Sequence, residues 1–106
     1  MASQSKVSLP TKLPGETIPE PVDFISKLPA GVSISSVNAT VASVLSGNDP
    51  NPAAIISGAA SASGTVVTQV VTGGVLGTVY SLLFSVNGSD GGVYQITAIL
   101  AVAPVA

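Results

Sequence analysis

The 106-residue sequence contains no cysteine, no histidine and no tryptophan. Without cysteine the chain has neither disulfide bonds nor thiolate nucleophiles, and without histidine it lacks the commonest general base. These two residue types are also the usual protein ligands of zinc, so their absence removes that kind of site as well. We therefore expect no enzyme activity and no bound metal or cofactor.

Charged residues are also scarce, because the sequence has three basic and five acidic side chains. After Lys27 only Asp49 and Asp90 carry a charge. Three lysines close to one end cannot make the many phosphate contacts that nucleic-acid binding needs, so we expect no nucleic-acid partner. A body without basic residues indicates a surface suited to contact with other proteins. The alternative is a small neutral domain that is simply soluble enough.

Long apolar runs are missing too, and none approaches the roughly 20 residues that span a bilayer. The longest, 99–105, is interrupted by Pro104. Asp49 and Asp90 are the only acids of the body and lie on separate loops, which argues against a carboxylate pair or a calcium site. We expect neither a membrane span nor a catalytic centre.

Alternation of apolar and polar residues is the strongest pattern in the sequence. It predicts an antiparallel hairpin with one buried face, because a period of two places alternate side chains on the same side of a strand. The turn of this hairpin is the glycine-rich loop 87–92. The apolar residues in phase are Tyr80, Leu82, Phe84 and Val86, followed by Tyr94, Ile96, Ala98, Leu100 and Val102.

Four further strands are predicted before this hairpin. They cover 22–25, 33–45 with a change of phase after Ala42, 53–56 and 65–72, while the small residues 57–64 are predicted to be a linker. Six strands without an amphipathic helix favour an all-β fold, an immunoglobulin-like antiparallel β-sandwich over residues 22–106. In such folds a corner tyrosine bonds to backbone upstream, and Tyr80 is either that residue or an ordinary core tyrosine.

Residues 1–21 form a separate unit in this interpretation. Prolines at 10, 14, 19 and 21 fix the backbone and remove amide donors, so the segment is predicted to be an extended N-terminal arm that could cross a neighbouring subunit. A disordered tail is the alternative. The candidate residues for partner contact lie in this arm and in two loops: Pro10, Pro14, Glu16, Pro19, Glu20, Asn48, Asp49, Asn51, Ser89 and Asp90.

Several stretches also resemble small structural proteins encoded by tailed bacteriophages. The likeness covers nearly the whole chain and is carried by turn and strand residues. The stretches are Leu13-Pro14-Gly15-Glu16, Val22-Asp23-Phe24, 31–36, Ser46-Gly47-Asn48-Asp49-Pro50-Asn51-Pro52, 56–60 and 66–80.

The resemblance implies an immunoglobulin-like virion protein without an active site. It implies a tail or neck adaptor that connects fibres or neighbouring subunits, with a capsid decoration protein of the phage head as the alternative. The partners implied are other phage structural proteins in a symmetric, multi-copy assembly, and the location is the virion, assembled in the cytoplasm of a bacterial host. A host-surface glycan-binding module is an alternative of another class, although the sequence has no tryptophan to act as a sugar platform.

Overall fold

The computed structural model of the chain describes residues 6–103, the side chain of Lys6 excepted. These residues form eight strands and one short 3-10 helix, Pro52–Ile55. The predicted all-β class is confirmed. The strands are β1 Lys6–Ser8, β2 Thr17–Asp23, β3 Ile34–Val37, β4 Val41–Ser46, β5 Ile56–Ser63, β6 Val66–Thr72, β7 Val79–Gly88 and β8 Val93–Ala101.

Two sheets share one core. The first has five strands in the order β1-β8-β7-β3, with β4 also paired to β7, and the second has three strands in the order β2-β6-β5. Strand β7 pairs with β8 along one side and with both β3 and β4 along the other, so it is the central strand of the larger sheet. All of these pairs are antiparallel except β1 with β8.

The predicted hairpin is formed by β7 and β8. Tyr80 lies opposite Leu100, and Phe84 lies opposite Ile96. The inward side chains of β7, including Leu82, have no exposed surface. Leu83, which interrupts the alternation, points to the other face and pairs in register with Val41 and Thr97. The period of two therefore separates a buried face from an outer face as predicted.

The smaller sheet closes the core from the opposite side. Val67 and Val71 of β6 are fully buried, and Val22 of β2 is nearly so. Phe24 follows β2 directly, is fully buried and belongs to the same cluster as the inward residues of the hairpin. Its N–H donates to the carbonyl oxygen of Thr65, which extends the pairing of β2 with β6 by one residue.

The N-terminal segment differs from the predicted arrangement. Strand β2 begins at Thr17 instead of residue 22, and β1 adds a parallel strand to β8. Pro19 and Pro21 are compatible with β2 because it is an edge strand, where a missing amide donor can face away from the sheet. Residues 6–8 and 17–21 of the predicted arm are thus extended and lie in the two sheets. Residues 1–5 of the arm and 104–106 of the predicted domain lie outside the described residues.

Three other predicted elements are also placed differently. The predicted strand 33–45 is divided into β3 and β4 by residues 38–40. Asn38 still holds the chain to β7, because its N–H donates to the carbonyl oxygen of Ser85 and its side-chain amide donates to the Ser85 hydroxyl. The predicted strand 53–56 is mostly a 3-10 helix, since Pro52 favours a helical first turn. The predicted linker 57–64 is strand β5, where pairing with β6 overrides the weak strand preference of small residues.

The fully buried position of Leu82 gives a direct test of the core. Leu82→Ala should lower the free energy of unfolding by about 2–5 kcal/mol, because it leaves a cavity between the sheets. Leu83→Ala is the matched control on the outer face, and it should cost less than about 1 kcal/mol. Urea unfolding followed by circular dichroism measures both. Equal costs at the two positions would contradict this assignment of faces.

Candidate interaction surfaces

The predicted contact loops lie at opposite ends of the domain. Loops 47–52 and 73–78 lie at the end where β7 begins, and loop 88–92 lies where it finishes. Ten residues of strand separate the two ends by about 30 Å, at roughly 3.3 Å per residue. Asn48, Asp49 and Asn51 therefore cannot form one site with Ser89 and Asp90.

At the first end, Tyr80 joins two loops. Its hydroxyl donates to Asp49 Oδ2 over 2.7 Å and accepts the N–H of Val75 over 2.8 Å. Burial, followed by the hydrogen bond to Asp49, raises the pKa of this tyrosine. The bond to backbone upstream is the contact predicted for a corner tyrosine. Asp49 is therefore held as an acceptor, and its Oδ1 also accepts the N–H of Asn51.

Gly47 packs against the loop 73–78 at this same end. Its φ is +97°, a conformation that other residues rarely adopt. A Cβ at this position would lie 2.8 Å from the Cα of Thr78. The close approach of the two loops therefore requires glycine at this position.

At the second end, a second tyrosine makes the equivalent bond. The hydroxyl of Tyr94 donates to Asp90 Oδ2 over 2.6 Å, and Asp90 Oδ1 accepts the N–H of Gly92. The bond to Tyr94 lowers the pKa of Asp90 and raises that of Tyr94. Ser89 is joined to Ser33 by two hydrogen bonds. Both tyrosines of the chain thus hold a loop through an aspartate.

The segment between β1 and β2 contains a buried lysine that sequence reasoning missed. Lys12 is 1% exposed, and its Nζ donates to the carbonyl oxygens of Leu13 and Gly73 over 2.9 and 2.7 Å. Glu16 Oε1 accepts the N–H of Leu13. Burial lowers the pKa of Lys12, while the charges of Glu16 and Glu20 oppose that change. The segment 12–16 is therefore fixed to the loop 73–78 and lies at the first end.

Glu20, predicted to be a contact residue, lies beneath the surface. It is 3% exposed and faces Gln69 across β2 and β6. Glu20 Oε2 and Gln69 Oε1 are both buried without a hydrogen-bond partner. Burial raises the pKa of Glu20, while the charge of Lys12 opposes the change. Of the other candidates in this segment, Pro10 and Pro19 are exposed, and Pro14 and Glu16 are half-buried.

Gln69 also stabilises an irregular part of β5. Ser57 and Ser61 pair with Val70 and Thr68, so the strand contains two extra residues between them. The side-chain Nε2 of Gln69 donates to the carbonyl oxygens of Ser57 and Gly58, which this bulge would otherwise leave unpaired. The bulge and the break between β3 and β4 line a cavity of about 190 Å³. Its lining includes Thr40, whose buried Oγ1 has no partner.

A larger groove lies between the edges of the two sheets, on the side of β1 and β2. Its volume is about 570 Å³. That volume is within the range of protein ligand sites. The lining is mainly apolar and consists of Val7, Ser8, Leu9, Pro10, Ile18, Pro19, Glu20, Pro21, Val22 and Asp23.

The outer face of the five-stranded sheet is almost free of charge. Val41 and Leu45 of β4 are 56% and 57% exposed. Two rows of described side chains cross this face and contain no charged residue. The rows are Val41, Leu83 and Thr97, and Ser43, Ser81, Ile99 and Ser8.

The described parts of these surfaces do not bring a set of catalytic side chains together. Within residues 6–103 no group of three or more acidic, histidine or cysteine residues could hold a metal ion. In the same part of the chain, no helix has the length and apolarity to cross a membrane.

A comparison with protein families identifies the chain. The model described as "Podophage GP4 fiber-tail adaptor protein gp77" matches residues 12–101. The chain belongs to this family. The predicted resemblance to small structural proteins of tailed phages is thereby confirmed, and the match begins at the buried Lys12 and continues to the last residue of β8. Among curated proteins, none matches the chain.

The two tyrosines should differ in their contribution to stability. Tyr80→Phe leaves the N–H of Val75 and Asp49 Oδ2 without their hydroxyl partner at a buried position, so it should lower the free energy of unfolding by about 1–3 kcal/mol. Tyr94→Phe is the matched control, and its cost should be smaller because water can replace the exposed hydroxyl. Urea unfolding of the two variants measures the difference. A larger loss for Tyr94→Phe than for Tyr80→Phe would contradict this ranking of the two hydroxyl groups.

The raised pKa of Glu20 predicts a pH dependence of stability. The folded state binds this proton more tightly than the unfolded state, whose carboxyl titrates near the ordinary value of 4.5. The free energy of unfolding should therefore fall as pH rises from that value through the raised pKa. Glu20→Gln should remove this decrease and make the variant more stable than the wild type near pH 7. Thermal unfolding between pH 4 and pH 7 measures the effect.

Asp90→Asn provides a control of opposite sign. The pKa of Asp90 is lowered from 3.8 in the folded state, so its carboxylate stabilises the fold above that value and loses this contribution as pH falls through the lowered pKa. The variant should thus be less stable than the wild type near pH 7. If Glu20→Gln also destabilised the protein near pH 7, the inference that folding raises the pKa of Glu20 would be wrong.

Proposed function

We propose that this protein is a structural component of a phage virion that connects tail fibres to the tail or neck. The match of residues 12–101 to a fiber-tail adaptor family is the observation that carries this proposal. The scarcity of catalytic side chains agrees with a structural role.

The separation of the two ends supports an adaptor. A protein that joins two structures needs two contact surfaces that do not interfere with each other. The loops at the first end and loop 88–92 are about 30 Å apart along β7 and are each held by a tyrosine–aspartate bond. Loops fixed in this way lose little conformational entropy on binding, which favours association. We propose that Asn48 and Asn51 at one end, and Ser89 and Asp90 at the other, contact different partners.

The outer face of the larger sheet supports assembly in several copies. An exposed, weakly charged face with Val41 and Leu45 is typical of a surface that is covered in a complex. We infer that neighbouring subunits cover it in a symmetric assembly. We also infer that the two sheets form an immunoglobulin-like sandwich, since Tyr80 makes the corner bond found in such domains.

A glycan-binding role has less support. Sugar sites generally use an exposed aromatic ring as a platform. All four aromatic residues of the chain are accounted for: Phe24, Tyr80 and Phe84 are fully buried, and Tyr94 is half-buried with its hydroxyl bonded to Asp90. The exposed apolar residues that remain are aliphatic.

Deleting the gene from the phage tests the proposed role. Particles without the protein should have complete heads and tails but lack tail fibres, and electron microscopy of purified particles shows this directly. Expression of the wild-type protein from a plasmid should restore the fibres.

Antibody labelling of intact particles locates the protein. Label at the junction of tail and fibres supports the adaptor, whereas label over the head would support capsid decoration. Retention of fibres by the deletion particles would overturn the proposal.

A further inference from the structure

The groove between β1 and β2 has an unusual set of hydrogen-bonding groups. Main-chain N–H and C=O groups of consecutive residues point to opposite sides of a strand. The N–H of Phe24 donates to Thr65, beside β6, so the even-numbered residues of β2 also face β6. The odd-numbered residues, Pro19 and Pro21 among them, consequently direct their main-chain groups away from β6, towards the free edge.

Proline has no N–H, so these two positions offer only carbonyl oxygens. An added β-strand needs alternating donors and acceptors along the edge, and this edge lacks the donors at its two central positions. Pairing of another strand with β2 is therefore disfavoured. A group with several donors and no acceptor matches the edge better.

The side chains that line the groove also include acceptors and no positively charged donor. Glu20 and Asp23 are its charged residues, and no basic residue is present in the lining. Glu20 is 97% buried, and its Oε2 accepts no hydrogen bond. Lys12 lies close enough to influence Glu20, but its Nζ donates to the carbonyl oxygens of Leu13 and Gly73. Within the lining, the two carboxyl groups therefore have no basic residue beside them.

The walls of the groove are apolar. Val7 of β1, Leu9 directly after β1 and Ile18 of β2 are half-buried, and all three side chains pack against the core. Pro10 and Pro19 are exposed beside them. A segment that fills the groove would thus bury aliphatic side chains as well as satisfy the acceptors.

We propose that this groove binds an extended segment of a partner protein in which an arginine is flanked by small aliphatic residues. The guanidinium group has five donors and no acceptor, and it is more weakly hydrated than an ammonium group. Its donors match the carbonyl oxygens of Pro19 and Pro21 and the unpaired Oε2 of Glu20. Its charge also complements Asp23, whose Oδ1 already accepts the N–H of Ile25 and the hydroxyl of Thr65, while the flanking residues pack against Val7, Leu9 and Ile18. The inference rests on the proposed function, because an adaptor supplies the setting in which such a partner occurs.

A second copy of the same chain does not fit this site. The sequence has no arginine, and of its three lysines Lys12 is buried and already bonded to two carbonyl oxygens. The occupant is consequently a different protein, which agrees with a role in joining unlike components.

Nuclear magnetic resonance of the full-length, ¹⁵N-labelled protein tests the proposal. The probe is an acetylated and amidated pentapeptide, Ser-Val-Arg-Val-Ser, compared with the same peptide carrying citrulline in place of arginine. Citrulline has nearly the same shape without the charge. The arginine peptide should shift the amide signals of residues 7–9, 18, 20, 22 and 23, and bind at least about ten-fold more tightly than the citrulline peptide.

The double variant Glu20→Gln, Asp23→Asn should reduce the difference between the two peptides to less than about two-fold. Glu16→Gln is the matched control, because Glu16 lies outside the groove lining, and it should keep most of the preference. The amide spectrum of each free variant reports whether the fold is retained. Single Glu20→Gln and Asp23→Asn variants provide the same comparison if the double variant is unfolded.

Equal affinity for the two peptides, no binding of either, or shifts confined to loop 88–92 or to the outer face of the larger sheet would overturn the groove proposal. This outcome is independent of the gene deletion. Loss of fibres from the deletion particles together with equal peptide affinities would leave the adaptor role standing and remove only the groove. Fibres retained on those particles would overturn the adaptor role, whatever the peptides do.

Discussion

Burial of one face of β7 is the constraint on which the rest of this structure depends. The strand is central to the larger sheet, and its inward residues Tyr80, Leu82, Phe84 and Val86 are completely enclosed. Because the side-chain period of a strand is two, shifting the register of β7 by one residue would expose this whole set. The positions of β3, β4 and β8 follow from pairing with this strand. Tyr80 then extends the influence of the core to the loops, since its ring is buried while its hydroxyl joins Asp49 and Val75.

A body with so few charges satisfies its polar groups locally. Asp49 and Asp90 accept bonds from tyrosines, Gln69 serves the carbonyl oxygens of the β5 bulge, and Lys12 serves those of Leu13 and Gly73. Each of these groups fixes an irregular part of the backbone to a regular one. Hydrogen bonds therefore hold these loops rigid, and ionic contacts occupy little of the surface. Four buried side-chain oxygens among the described residues are exceptions, because Glu20 Oε2, Gln69 Oε1, Thr40 Oγ1 and Thr78 Oγ1 have no partner. Glu20 is the only one of these groups that can carry a charge, and an unpaired charge is the costliest to bury.

The sequence predicted those elements whose pattern reflects burial. Strand β6 and the hairpin β7–β8 were found because β-branched residues and strict alternation coincide there. Strand β5 was missed because Ser, Gly and Ala carry almost no strand preference, and its position is set by hairpin pairing with the following strand β6. β1 has only three residues, which is too few for any periodicity.

The two contact loops were recognised from their turn residues, but their separation by the length of β7 could not be read from the order of residues. Lys12 and Glu20 were placed in an extended arm that reaches a partner, because the prolines of 1–21 indicate extended backbone, and only the pairing of β2 with β6 places Glu20 inside.

The free edges of the sheets limit how this domain can be joined to others. The β2 edge lacks two amide donors, β5 is interrupted by its bulge, β3 and β4 are separated by residues 38–40, and β1 has only three residues. These features disfavour the addition of a long, regular strand at any of the edges. Contacts must then be made through faces, loop ends or side-chain grooves, which are more selective than main-chain pairing because they depend on particular side chains. For a protein present beside many others during particle assembly, such selectivity reduces association with the wrong partner. The prolines of β2 thus have two effects with one cause. Because they have no amide donors, they disfavour pairing of β2 with strands of other proteins. The carbonyl oxygens that remain favour a donor-rich occupant.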